Sequence, residues 1–249
     1  MSEVTIQPAS WVLFREYEEA LKSENRFFPD EKFLRLFDVI IKSNYHHRVI
    51  AQGTHLYRAR RNRLGSEFEF VSDLGMNKDA PTHNRASPIG IPYMYLAGNP
   101  ETAIAEVRAN VNDYVSVATY ETVKPLNLLY LDQATVIDYA EEDGEFRGLE
   151  IVSFISQLSF AFAAPVQKKA EVEYLPTQYF AEYCKRKGLD GIQYVSSARG
   201  FGLYGVGDTH FNYVLFDDTN VAFCEAYRYK VEKIEYRINK ECIIHLKDG

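Results

Sequence analysis

Apolar residues fall at helical spacing in several segments of this chain and gather into short strand-like runs between them. In "EKFLRLFDVIIKSNY", Phe33, Leu34, Phe37, Ile40 and Ile41 share one helical face. Residues 1 to about 50 therefore read as a helical extension packed on the domain that follows, 51–249. The run "IVSFISQLSFAFAAPV" (151–166) is broken by Ser153, Ser156, Gln157 and Ser159 and is too short to span a bilayer, so it reads as a buried helix. "LPTQYFAEYCKRKG" (175–188) places Pro176 near a helix start and Gly188 just past its end.

Strand-like runs occur at Leu56 to Ala59, Tyr93 to Leu96, 114–121, 126–131, 190–196, 211–217 and 220–238. Strands and helices mix without regular β-α-β-α alternation, which predicts an α+β domain with flanking helices. Between the second and third runs, "NPETAIAEVRANV" reads as a helix capped by Asn99, with Pro100 at its first position. At about 100° per residue, Ala103, Ile104, Val107 and Val111 form its inward stripe. Glu101 turns outward with Ala105 and Arg108, whereas Glu106 falls roughly 60° from Ala103. A carboxylate is thus held at the rim of a buried face. The stretch 61–92 is polar, rich in turn formers and too long for a passive connection, as functional loops often are.

Composition narrows the chemistry. The 249 residues, 46% of them hydrophobic, suffice for one sizeable core, and a formal net charge of −7 argues against a broad nucleic-acid or anionic-membrane surface. An arginine pocket is compatible with that balance. Cys184, Cys224 and Cys242 show neither C-x-x-C spacing nor a disulfide framework, which fits a reducing cytoplasm. The N-terminus lacks the basic and apolar regions of a Sec-type signal. His46, His47, His55, His83, His210 and His245 share no ligand spacing, so no metal is expected. "GFGLYG" (200–205) matches a dinucleotide fingerprint in letters only, because a strand and not a helix follows; it reads as a loop that could cover a ligand. No G-x-S-x-G elbow is present.

Polar residues embedded in apolar elements stand out: Arg58 in "HLYRAR", Tyr95 in "YMYLA", Glu106 on its helix rim and Ser196 at the end of "IQYVS". Each alone has an ordinary structural explanation. An arginine can cap a sheet edge, a tyrosine can be core with its hydroxyl bonded, and Glu106 can pair with Arg108. Together, "LYRAR", "YLAGNPETAIAEVR", "GLDGIQYVSS" and "NYVLF" (212–216) resemble the RES domain family, in order and character, over roughly 54–217. "NRAS" (84–87) resembles the family's second arginine motif, with Ser87 where asparagine is common.

The resemblance implies an ADP-ribosyltransferase-like mixed sheet, NAD as substrate with no separate cofactor, and a toxin that depletes NAD by hydrolysis or phosphorolysis. It also implies an antitoxin or immunity protein as partner. It assigns Arg58, Glu106 and Ser196 to catalysis and Tyr57, Arg85 and Tyr95 to substrate binding. The residue types suit such chemistry. Cleaving the nicotinamide–ribose bond builds oxocarbenium-like charge that a fixed carboxylate stabilises, and a guanidinium can grip phosphate with paired hydrogen bonds. Two other readings stay open: ADP-ribosyl transfer to a protein, and a catalytically weak module that binds a nucleotide or a partner.

Overall fold

The computed structural model describes residues 12–62, 67–78, 84–131, 146–163, 171–197 and 210–234. The glycine loop at 200–207, His83, Cys242 and His245 lie outside the described residues. Among the described residues, eight strands form one sheet: β1 (His47–Ile50), β2 (His55–Arg61), β3 (Met94–Ala97), β4 (Tyr114–Thr122), β5 (Leu126–Leu131), β6 (Gly191–Val195), β7 (Phe211–Leu215) and β8 (Val221–Lys230). Their order across the sheet is β1-β5-β6-β7-β3-β2-β4-β8. Among the described residues, only the β5–β6 pairing is parallel. The architecture is the expected α+β, a mixed sheet with flanking helices.

The helices are α1 (Val12–Glu19), α2 (Glu31–Lys42), α3 (Val71–Leu74), α4 (Pro100–Glu106), α5 (Gly148–Ala163) and α6 (Leu175–Arg186). None among the described residues is long and apolar enough to cross a membrane. One face of β5, β6 and β7 is covered by α1, α2, α5 and α6, whose Tyr17, Phe33, Phe37, Phe154 and Phe180 form the largest buried cluster with Leu129, Ile192 and Val214. The Tyr17 hydroxyl, inside this cluster, donates to Pro176 O at 2.6 Å, joining α1 to the start of α6. The opposite face packs Leu56, Met94, Leu96, Tyr120, Leu128 and Leu215 with Leu74 of α3. A small third cluster of Ala59, Ala97, Ala103, Val115 and Val117 seats α4 on β2, β3 and β4.

Several sequence expectations need correction. The helical pattern of the first fifty residues stops at Lys42, and His47–Ile50 is a sheet strand paired with β5. Helix α4 ends at Glu106, so Val111 lies beyond it and is exposed. The stop is made by Arg108, which adopts a left-handed φ of 50° without glycine's steric freedom. Strand β8 ends at Lys230 rather than running to 238, and residues from 235 onward lie outside the described part. Gly191 shows why a residue without a side chain opens β6: a Cβ there would sit 2.2 Å from Val214 O on β7.

Candidate active site

A cavity of about 530 Å3 opens over the adjacent strands β6, β7, β3 and β2. Helix α4 walls one side, and the loop carrying Asn84 and Arg85, with Tyr174, forms the other. The cavity lies where the large helical layer gives way to the small alanine-rich cluster beneath α4. Ala59, Ala97 and Ala103 leave space that bulkier residues would fill.

Glu106 reaches this space from the last position of α4. The helix is set by its N-terminus, where Asn99 Oδ1 accepts from Thr102 N at 2.7 Å and Pro100 occupies the first turn. Glu106 is exposed at the cavity edge, yet its Oε1 is held on the protein side. The Ser196 hydroxyl donates to it at 2.6 Å and Asn212 Nδ2 at 2.5 Å. Both donors are buried, so they lose nothing to water by holding one orientation. Among the described residues no group binds Oε2, which leaves that oxygen available to a ligand. Asn212 also bonds the buried Tyr194 hydroxyl, whose pKa burial drives upward, keeping it neutral. The carboxylate thus rests on two side chains at the ends of β6 and β7, Ser196 and Asn212, the second of them braced by Tyr194.

Arg58 enters from β2. Its Nη1 donates to Tyr95 O at 2.8 Å, whereas its buried Nε has no hydrogen-bond partner among the described residues. Burial, reinforced by repulsion from Arg60, lowers its pKa to about 10. No carboxylate pairs with it among the described residues. A desolvated cation with a free N–H in a cavity is suited to an anionic ligand, since leaving such a donor unpaired is otherwise unfavourable.

Arg85 is placed by its loop. The Tyr95 hydroxyl accepts from the backbone N–H groups of Ala86 at 3.0 Å and Ser87 at 3.1 Å, and it lies 3.0 Å from Ser87 Oγ. Thr177 and Gln178 of α6 hold the loop's carbonyls from behind: Thr177 Oγ1 donates to Arg85 O at 2.5 Å, and Gln178 Nε2 to Asn84 O at 2.7 Å and Ser87 O at 3.1 Å. The Arg85 guanidinium then donates from Nη1 to Ala161 O at 2.5 Å and stands 5.9 Å from the Tyr174 ring centre. Ser87, the departure from the common asparagine, fits this arrangement because its short hydroxyl meets Tyr95.

Five of the residues singled out in the sequence therefore line one cavity: Tyr57, Arg58, Arg85, Tyr95 and Glu106. Ser196 does not line it but holds Glu106. The Tyr95 hydroxyl is committed to the Arg85 loop, so its ring is what remains for a ligand. The ordinary structural explanation for Glu106, a pair with Arg108, is absent among the described residues, and Arg108 instead joins the lining. The sequence reading missed Asn212, Tyr194 and Tyr174. Asn212 carried a signal already used elsewhere, a polar residue inside the apolar strand "FNYVLF".

The RES domain family model matches residues 55–239. Comparison with curated proteins returned no match. Among solved structures, the chain is similar to one from the M. tuberculosis MbcT–MbcA toxin–antitoxin complex, at 12% identity and a TM-score of 0.44. The match covers 81% of this chain and 93% of that one.

Proposed function

The chain belongs to the RES domain family, and from that premise we propose that it is a toxin-type enzyme that cleaves the nicotinamide–ribose bond of NAD, passing ADP-ribose to water or phosphate. The observation that carries this reading is the Glu106 carboxylate, held through Oε1 by Ser196 and Asn212 in a cavity that also contains three arginines, Arg58, Arg85 and Arg108. Preorganised negative charge stabilises the positive charge that grows on the ribose as nicotinamide leaves, and it does so without rearrangement during the reaction. Oε2, which no described residue binds, can accept a hydrogen bond from a ribose hydroxyl or take the incoming nucleophile's proton.

Arg58 and Arg85 supply the complementary end. Arg58 has no partner for its Nε–H among the described residues, and a guanidinium edge matches two oxygens of a pyrophosphate or an incoming phosphate. Tyr57 and the Tyr95 ring offer flat contacts for the nicotinamide–ribose portion. An antitoxin or immunity protein is the partner class this reading implies.

Incubating the purified chain with NAD, with and without inorganic phosphate, tests the reading. Free nicotinamide accompanied by ADP-ribose indicates hydrolysis, and ADP-ribose-1-phosphate indicates phosphorolysis. Nicotinamide release matched by ADP-ribose on a protein would replace the proposal with transferase activity. NAD binding without turnover would replace it with a binding module.

A further inference from the structure

Away from the cavity, three adjacent antiparallel strands bring together a histidine, a carboxylate and a thiol that are distant in sequence. His55 opens β2 and faces Glu121 directly across the β2–β4 ladder. Its Nε2 lies 3.3 Å from Glu121 Oε2. On the next strand the β4–β8 register slips: Tyr120 pairs with Phe223, but Thr119 pairs with Glu225. Cys224 is the extra residue of that β-bulge. A bulge re-aims the side chain it carries, and bulges recur where a sheet presents a functional group. Here one ligand atom from each of His55, Glu121 and Cys224 lies within 4.8 Å of the other two.

The geometry points to a zinc-class divalent cation site formed by His55, Glu121 and Cys224. Imidazole nitrogen, carboxylate oxygen and thiolate sulfur are the donor types zinc takes, and three protein ligands leave the fourth tetrahedral position to water. Bond lengths of about 2.0–2.3 Å place tetrahedral ligand atoms roughly 3.3–3.7 Å apart. The His55–Glu121 pair already has that spacing, and the ligand atom of the exposed Cys224 lies within 4.8 Å of both. Burial first, then the Glu121 carboxylate, pushes the Cys224 thiol up. A cation reverses that balance by binding the thiolate and releasing its proton to solvent.

The site has a structural consequence independent of NAD chemistry. Among the described residues, β8 is an edge strand with only β4 beside it, and most of its residues are exposed. A metal bridging β2, β4 and β8 fastens this edge to the sheet interior.

The test is titration of chelator-treated full-length protein with Co2+, followed by competition with Zn2+. One equivalent of Co2+ should give thiolate-to-cobalt charge-transfer absorption that Zn2+ abolishes, and Zn2+ at a hundredfold excess over its Kd should raise the melting temperature by roughly 5 °C. Cys224→Ser and His55→Ala, both at exposed positions, should each weaken binding at least tenfold, whereas Cys242→Ser should leave it intact. No thiolate signal in the unmodified chain, or its loss in Cys242→Ser and persistence in Cys224→Ser, overturns the site.

Discussion

The hydroxyl of Ser196 and the carboxylate of Glu106, ninety positions apart in sequence, meet at 2.6 Å, and Asn212 joins them on the same carboxylate oxygen at 2.5 Å. Glu106 thus approaches a ligand with one oxygen already oriented. Glu106→Gln keeps the side chain's size and removes its charge. Nicotinamide release should fall about a hundredfold or more, on the order of 3 kcal/mol of transition-state stabilisation. Glu101→Gln, on the exposed side of the same helix, should leave turnover unchanged. Full activity in a folded Glu106→Gln protein would remove Glu106 from the mechanism.

Asn212 has a sharper signature. Asn212→Asp replaces a donor with a second negative charge beside Glu106, so Oε1 loses one of its two anchors and meets repulsion instead. Turnover should fall by about tenfold or more, read as nicotinamide release, and Asn212→Ala, which removes the anchor without adding charge, should lower it less. Full turnover in both folded variants makes the asparagine a packing residue.

The split between what was legible in the sequence and what was not has physical causes. Helix α6 was readable because Pro176 and Gly188 mark its ends by backbone geometry that does not depend on the rest of the fold. The length of α4 was misread because Val107 and Val111 continue its apolar period, while the stop depends on a left-handed arginine with no local signal. Strand β1 was hidden because "HRVI" is short and becomes a strand only by pairing with β5, eighty residues later. In the site, polar residues in apolar elements identified Arg58, Tyr95 and Glu106 of the lining, whereas Tyr57 and Arg85 entered through the family resemblance. Loop anchoring by Tyr95, Thr177 and Gln178 is a tertiary arrangement that spacing along the chain does not express.

That anchoring predicts a division of labour. Tyr95→Phe retains the ring but deprives two backbone N–H groups, of Ala86 and Ser87, of their acceptor. Stability should fall by about 1–3 kcal/mol, read by urea denaturation. In the NAD assay KM should rise more than kcat falls, because the Arg85 loop rather than Glu106 is loosened. Unchanged KM with a large drop in kcat would instead place the Tyr95 hydroxyl at the reacting centre.

Arg108 offers a test of strain. A non-glycine residue at φ 50° is unfavourable by roughly 1–2 kcal/mol, and such residues persist where a function maintains them. Arg108→Gly should hold or raise the melting temperature while increasing KM, because the cavity loses a cation. A destabilised variant with normal kinetics would show that the side chain serves the fold alone.

Arg58 can be probed by both substitution and pH. Arg58→Lys preserves charge but removes the flat, two-pronged edge, so affinity for ADP-ribose should drop strongly, and near-normal affinity in the folded variant would reduce Arg58 to a point charge. The second arm uses the Arg58 pKa, lowered to about 10 by burial and then by Arg60. Phosphate binding requires the charged form, so affinity should be full below that value and decline as pH rises through it. An ordinary arginine keeps its charge well beyond that point. The stability contribution runs in the opposite direction. The folded-state pKa lies below the unfolded one, so the unfolded chain binds more protons above pH 10, and the burial penalty on Arg58 fades as pH rises through that window. Loss of ADP-ribose affinity without loss of native circular dichroism is therefore the expected result in alkaline titration. Affinity that stays flat through pH 10 while the fold survives would mean that Arg58 does not hold the phosphate.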